Sequence, residues 1–261
     1  MRILVLADLE GAAAVVDFER QSYAGGKYHD QAKRMTTREV NALIEGALAG
    51  GATEIVVLDA HGPGGLDYEL LHPEAQWILG RPAPSVWDLD LEFEVVFLHG
   101  HHSMSHTERG VLAHSWSSRT IDNVWLNGRF VGEIGLNIAL AGALGKPVVF
   151  ISGDEAAVNE ARQYVPNIEA VVTKKGLSRT CALSLAPAKA QQLIREAAER
   201  ALRRREEIKP YIVPPPYELM VQLLRPEDAV NRFARADVEI VDERTYCLRS
   251  DNLLDLMRRW W

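Results

Sequence analysis

Apolar runs of about six residues recur along the first part of the chain, and each stops at a polar or glycine-rich cluster. Residues 2–7 (R-I-L-V-L-A), 54–59 (E-I-V-V-L-D), 93–98 (F-E-V-V-F-L) and 147–152 (P-V-V-F-I-S) are continuous rather than alternating. That is the pattern of strands buried on both faces of a parallel sheet. Shorter candidates are 77–79, 110–115, which carries His114, and 169–173. Helical spacing lies between them. Thr36-Thr37-Arg38-Glu39 has the residues to cap and open a helix that Gly50-Gly51 closes. Glu133 opens a second helix with Leu136, Leu140, Ala143 and Leu144 on one face, and Gly153-Asp154-Glu155 opens a third that runs to Tyr164. Residues 123–131 read as a hairpin turning at Asn127-Gly128, the dipeptide of a type I′ turn.

Residues 186–209 form a long helix rich in Ala, Arg and Glu, and Pro214-Pro215-Pro216 interrupts the chain after it. Beyond the prolines come strands at 217–223, 238–241 and 245–249 and a last helix from Asp251. The alternation of strand and helix predicts an α/β fold of three layers, helix–sheet–helix, with a mostly parallel central sheet and a smaller C-terminal α+β portion. The expected division is 1–210 for the α/β part, carrying any metal-binding catalytic site, and 211–261 for an extension packed on it.

Composition narrows the class. At 47% hydrophobic and 25% charged the 261 residues are those of an ordinary globular protein. A net charge of -7 argues against a nucleic-acid or anionic-membrane surface, and no apolar run has the length of a membrane span. Asp8 and Glu10 interrupt the apolar N-terminus before a signal-peptide core forms. Cys181 and Cys247 are far apart with no metal-like spacing, so the expectation is a reduced, cytoplasmic protein with two buried thiols. The chain ends on Trp260-Trp261, indoles that either fold back on the core or join an interface between copies. One feature of the composition is unusual: five of the eight histidines fall between His99 and His114.

Those histidines lie where strands end. In extended chain, residues two apart share a side, so Asp8 and Glu10 face one crevice beyond the first strand. Ligands bind in open α/β sheets at such carboxyl ends. Two neighbouring carboxylates repel unless a cation sits between them. The second strand delivers His61, and the third runs into His99-Gly100-His101-His102. Carboxylates with imidazoles suit zinc better than calcium or magnesium, since nitrogen is the softer donor. The candidates are Asp8, Glu10, His61, one or more of His99, His101 and His102, His106, His114 and Glu133. There is no G-x-S-x-G nucleophile elbow, and Gly62-Pro63-Gly64-Gly65 lacks the lysine and hydroxyl of a phosphate loop. Ser115, Ser117 and Ser118 lie near His114 without an aspartate to orient it, which makes a serine nucleophile a poor reading.

Five motifs together are similar to those of the DppA-type zinc D-aminopeptidases, in that family's order and at similar spacings. They are Asp8-Leu9-Glu10-Gly11, Asp59-Ala60-His61-Gly62, 100–104 (G-H-H-S-M), 110–115 (G-V-L-A-H-S) and 127–137 (N-G-R-F-V-G-E-I-G-L-N). The similarity continues through Gly153-Asp154 and 174–184. The resemblance implies a two-zinc site in which Asp8 bridges both ions, Glu10 and His61 complete one site, and His102 and Glu133 the other. It implies that His114 is catalytic and not a ligand. It also implies an aminopeptidase acting on short peptides with an N-terminal D-amino acid such as D-alanine, and a homo-oligomer, a decameric ring. Two positions depart from the family: Leu6 stands where serine is usual, and Leu58 where asparagine is. They leave open a two-zinc amidase acting on a non-peptide amide. The rival of a different class is a metal-stabilised, non-catalytic peptide-binding protein.

Overall fold

The computed structural model describes residues 1–82, 85–89 and 91–260. In chain order its elements are β1 (Arg2–Ala7), α1 (His29–Ala49), β2 (Glu54–Asp59), β3 (Gln76–Ile78), β4 (Val95–His101), β5 (Ile121–Leu126), β6 (Arg129–Phe130), α2 (Glu133–Ala143), β7 (Val148–Asp154), α3 (Glu155–Arg162), β8 (Glu169–Ser178), β9 (Cys181–Ser184), α4 (Pro187–Arg203), β10 (Tyr217–Leu223), α5 (Val230–Phe233), β11 (Glu239–Ile240), β12 (Thr245–Ser250) and α6 (Leu253–Trp260).

Seven strands form the main sheet in the order β3-β2-β1-β4-β7-β8-β9. All adjacent pairs are parallel except β8 with β9. β1, β4 and β7 are buried almost throughout, which is why their sequences are unbroken apolar runs. From β1 the chain crosses through α1 to β2 on one side, and from β4 through α2 to β7 on the other. Right-handed crossovers in opposite directions put α1 and α2 on opposite faces. α4 packs on α1, and α3 packs beside α2. The order reverses between β1 and β4, so the crevice beyond those two strands is the switch point of a doubly wound sheet.

Two glycines bring the ends of β1 and β4 together. The Gly11 amide donates to the Gly100 carbonyl at 2.7 Å. A Cβ on Gly11 would lie 2.1 Å from the His101 carbonyl oxygen, and one on Gly100, at φ +67°, 2.2 Å from that of Asp8. No side chain fits either place.

The second sheet has the order β11-β12-β10-β5-β6. It takes β5 and β6 from before residue 210 and β10–β12 from after it, so the 1–210 and 211–261 division runs along the chain rather than between sheets. α6 packs on β10, β12 and α2 and joins the two layers. Asn127 and Gly128 turn the β5–β6 hairpin with φ of 52° and 76°, both positive as a type I′ turn requires. Among the described residues no helix is long and apolar enough to cross a membrane.

Several expectations are corrected. α1 begins at His29, a full two turns before Thr36, because Thr37 bonds back to the Lys33 carbonyl inside the helix instead of capping it. Residues 110–115 are not a strand. They are the buried part of an irregular segment in which His106, Arg109, Leu112 and Trp116 all take positive φ, between 55° and 61°. Only Cys247 is a buried thiol, since Cys181 is exposed. Trp260 folds onto the chain's own core, its indole N–H donating to the Tyr246 hydroxyl at 2.9 Å. Trp261 lies outside the described residues.

Candidate metal centre

The candidate side chains arrive from four elements at the switch point. Asp8 and Glu10 follow β1, His61 follows β2, His102 follows β4, and Glu133 is the first residue of α2. Asp8, Glu10, His61, His102 and His114 are all buried. Atoms of Asp8, Glu10 and His61 fall within 4.8 Å of one another, as do atoms of His102, His114 and Glu133. Asp8 faces both groups. Its Oδ1 is 3.3 Å from His61 Nδ1, and its Oδ2 is 3.4 Å from His102 Nε2. Glu10 Oε2 lies 3.1 Å from His61 Nδ1, and Glu133 Oε1 lies 3.3 Å from His102 Nε2.

Backbone carbonyls fix how the imidazoles are used. Nε2 of His61 is 2.8 Å from the Ser22 carbonyl and Nδ1 of His102 is 3.0 Å from the Ser103 carbonyl. A carbonyl only accepts, so each of these nitrogens carries the hydrogen. In the neutral rings the opposite nitrogens are then lone pairs, and both point at carboxylate oxygens. Lone pair against carboxylate is repulsive unless a proton or a metal cation lies between. Asp8 Oδ2 and Glu10 Oε2 are moreover buried without a hydrogen-bond donor. Orphaned carboxylate oxygens and imidazole lone pairs turned to common points are the donor set a zinc ion takes, with carbonyl partners behind each histidine.

The same field acts on protons. Burial opposes the charge on His102, but Glu133, Asp8 and Glu10 outweigh it and push its pKa up to about 10. Burial likewise opposes charge on His61, and Glu10 with Asp8 overrides it, raising it well above the imidazole range. Glu10 is held well below the usual carboxylate range, His61 overcoming the cost of burial. Glu133 is pulled down to about 2, His102 overcoming burial in the same way. Asp8 rises to about 7 through burial and the repulsion of Glu10.

His114 differs from these. Its ring stacks on His102 with centroids 3.8 Å apart and 14° between planes. Nδ1 donates to the Leu112 carbonyl at 2.8 Å, which leaves Nε2 without a hydrogen in the neutral ring. Burial and the neighbouring His102 push its pKa down to about 4. Leu112 holds this carbonyl from a left-handed backbone conformation, φ 55°, fixed by its own amide donating to the Arg179 carbonyl at 2.9 Å.

The other histidines do not join the cluster. His99 Nδ1 meets the Ser152 hydroxyl at 2.8 Å and its Nε2 lies 3.7 Å from Glu39. His101 Nδ1 donates to the His99 carbonyl at 3.1 Å. His106 is exposed and pairs with Asp122 at 2.7 Å. The serines near His114 are engaged elsewhere: Ser115 accepts from the Ser105 amide, and the Ser117 hydroxyl from Thr120.

Two contributors escape sequence reading. Ser22 ends a short π-helical turn, Phe18–Ser22, in a stretch with no periodicity. Its hydroxyl donates to Glu10 Oε1 at 2.7 Å while its carbonyl holds His61. Lys174 is buried within β8, and its ammonium donates to the carbonyls of Glu10, Ala12 and Val15 at 2.5, 2.7 and 2.6 Å. It ties down the loop that carries Glu10. The sequence offered one signal, a lysine where an inward position of a strand was due. Each carbonyl stripped of its donor costs about 1–3 kcal/mol. Lys174→Met is therefore expected to lower Tm by roughly 6–12 °C, from a loss of about 3 kcal/mol or more, as read by calorimetric unfolding.

Fold and centre together define an α/β protein built around a carboxylate–imidazole metal site at a sheet switch point. A family model described as D-aminopeptidase, peptidase M55, matches residues 1–261, and the chain belongs to that family. It is 34% identical over 218 residues to a D-aminopeptidase of Bacillus subtilis (strain 168), spanning 82% of this chain and 78% of that one. Among solved structures it is similar to the zinc-dependent D-aminopeptidase DppA from Bacillus subtilis, described as a self-compartmentalizing protease. That likeness has a TM-score of 0.93 at 28% identity and covers 100% of this chain and 95% of the other.

Proposed function

We propose that the chain is a zinc-dependent D-aminopeptidase that removes N-terminal D-amino acids from short peptides, D-alanyl peptides among them. The observation that carries the reading is a pair of buried imidazoles, each with one nitrogen at a backbone carbonyl and the other turned to carboxylates, among them two oxygens without a donor. The family match favours it over a two-zinc amidase or a binding protein without turnover. In this reading two zinc ions would be held per chain, one by Asp8, Glu10 and His61 and the other by Asp8, His102 and Glu133. The ions supply Lewis-acid polarisation of water and of the scissile carbonyl.

The protein's own groups do the rest. Ser22 and Ser103 hold the two ligating imidazoles in one tautomer. The Trp116 amide, donating to Glu133 Oε1 at 2.8 Å, fixes that carboxylate. His114 Nε2 is the group that takes a proton from the nucleophile and returns it to the leaving amine, because its Nδ1 is committed to Leu112. The buried setting strengthens each of these interactions.

Zinc content measured on the sample used for a panel of D- and L-aminoacyl p-nitroanilides tests the reading. Two ions per chain, loss of activity on chelation, recovery with zinc and preference for D-substrates are expected. One ion or fewer in active protein defeats the two-zinc assignment. By extension from the self-compartmentalizing relative the protein assembles as a homo-oligomer, and the motif resemblance makes that a decameric ring. Light scattering at micromolar concentration is expected to give a mass near ten chains, and a mass of one chain refutes assembly. Cys181 and Cys247 are both free thiols, which supports a cytoplasmic location.

A further inference from the structure

Beside His114 the surroundings are aromatic and cationic. Phe18 meets the His114 ring edge-on with centroids 5.5 Å apart, and Tyr23 stacks on Phe18 at 5.5 Å. A guanidinium lies over each ring: Arg179 over Phe18 at 5.1 Å and Arg119 over Tyr23 at 3.9 Å. Arg179 also donates to the Ala113 carbonyl at 3.0 Å, and Tyr23 shares a hydrogen bond with Ser118 at 2.9 Å. Both arginines are exposed, and among the described residues they meet ring faces and the Ala113 carbonyl rather than carboxylates. Phe18 links them to His114, which stacks on His102 within the carboxylate and imidazole cluster. Guanidiniums held over ring faces, with unused donors, are receptors for a planar anion.

We propose that Arg119 and Arg179 bind the C-terminal carboxylate of the peptide substrate and so restrict it to two or three residues. This rests on the aminopeptidase reading above. The free α-amine belongs at the carboxylate-rich centre, and the carboxylate leads outward past His114 to the rings. One or two ring contacts separate His114 from the guanidiniums, a span that one or two extended residues of about 3.3–3.6 Å each can cover. A longer peptide, or one ending in an amide, loses the anchor.

The test compares N-terminal D-alanyl dipeptides ending in a free acid with the same dipeptides ending in an amide, on zinc-loaded protein. Wild type is expected to favour the acid at least tenfold, mainly through KM. In the double variant Arg119→Gln/Arg179→Gln, KM for the acid is expected to rise about 10–100-fold, the size of a lost charge-assisted pair, and the acid-to-amide ratio to fall toward one. Arg179→Lys is expected to keep part of the preference. Zinc content and unfolding temperature confirm that the variants are intact. Equal use of acid and amide by wild type overturns the proposal, as does an equal loss on both substrates in the double variant. Calorimetric binding of a non-hydrolysable D-alanyl dipeptide analogue, acid against amide, reads the same preference without turnover. An acid preference in binding with no cleavage of any D-aminoacyl substrate would overturn the aminopeptidase reading and leave this one standing.

Discussion

Asp8→Ala is expected to leave less than one zinc ion per chain and to lower kcat/KM by about 10³-fold or more. Among the described residues Asp8 is the one whose two oxygens face different histidines, Oδ1 toward His61 and Oδ2 toward His102. Its removal takes a donor from both sides of the centre, whereas Glu10→Ala or Glu133→Ala takes a donor from one. Polarisation by bound metal supplies several kcal/mol of transition-state stabilisation, and about 4 kcal/mol corresponds to that loss. Stability has the opposite sign in the chelated protein. There Asp8 is pushed up to about 7 by burial and by Glu10, so above its unfolded pKa the folded state pays for its charge, and the penalty grows as pH rises toward 7. Chelated Asp8→Ala is therefore expected to unfold at or above the wild-type temperature at pH 7–8, and the zinc-loaded variant below it. Elemental analysis and two unfolding curves check both signs. An Asp8→Ala protein that keeps two ions would show that Asp8 does not join the sites.

His114→Ala is expected to retain both ions and lose about 10²–10⁴ in kcat, or about 3–5 kcal/mol of barrier. The effect falls on kcat more than KM because a proton in transit is felt in the transition state. His114 lies with His102 and Glu133 inside the 4.8 Å cluster, so its geometry alone also admits a ligand role. Metal content separates the two: a variant with one ion makes His114 a ligand, and a variant with two ions and near wild-type kcat removes it from catalysis. Its pH behaviour is distinctive. Burial and His102 push the imidazole down to about 4, so the proton-accepting form is present throughout the neutral range. The kcat profile is expected to lack the acid limb near pH 6.5 that an unperturbed histidine gives.

The main sheet was legible because buried parallel strands need no alternation to be recognised: Arg2–Ala7 and Glu54–Asp59 fall where their residues place them. The candidate centre was legible for a related reason, since parallel strands carry their carboxyl ends to one edge. The order of β1 beside β4 was not, because pairing across ninety residues leaves no local trace. His114 illustrates the limit. Its apolar neighbours Val111, Leu112 and Ala113 imitate a strand, yet their burial is that of a loop pinned under β8 and β9 by Arg179. Ser22 and Lys174 act through a carbonyl held or a carbonyl capped, and sequence spacing does not encode such a service. Leu6 and Leu58 lie along β1 and β2, opposite one another in register, where they pack in the main core.

The second sheet has a kinetic consequence. β5 leaves the ribosome about ninety residues before β10, its antiparallel partner, and Glu133 follows the same hairpin immediately. A contact of that separation closes late, because the loop entropy is lost before the pairing repays it. Until it closes, β5 presents an open edge to other chains. A chain stopped at residue 210 would keep all six of the residues discussed at the centre, yet the hairpin that leads into Glu133 would have no strand to lean on. Nascent protein therefore gains its full anchoring of Glu133 only once the C-terminal strands have arrived, and zinc supplied before that moment meets a half-built cradle.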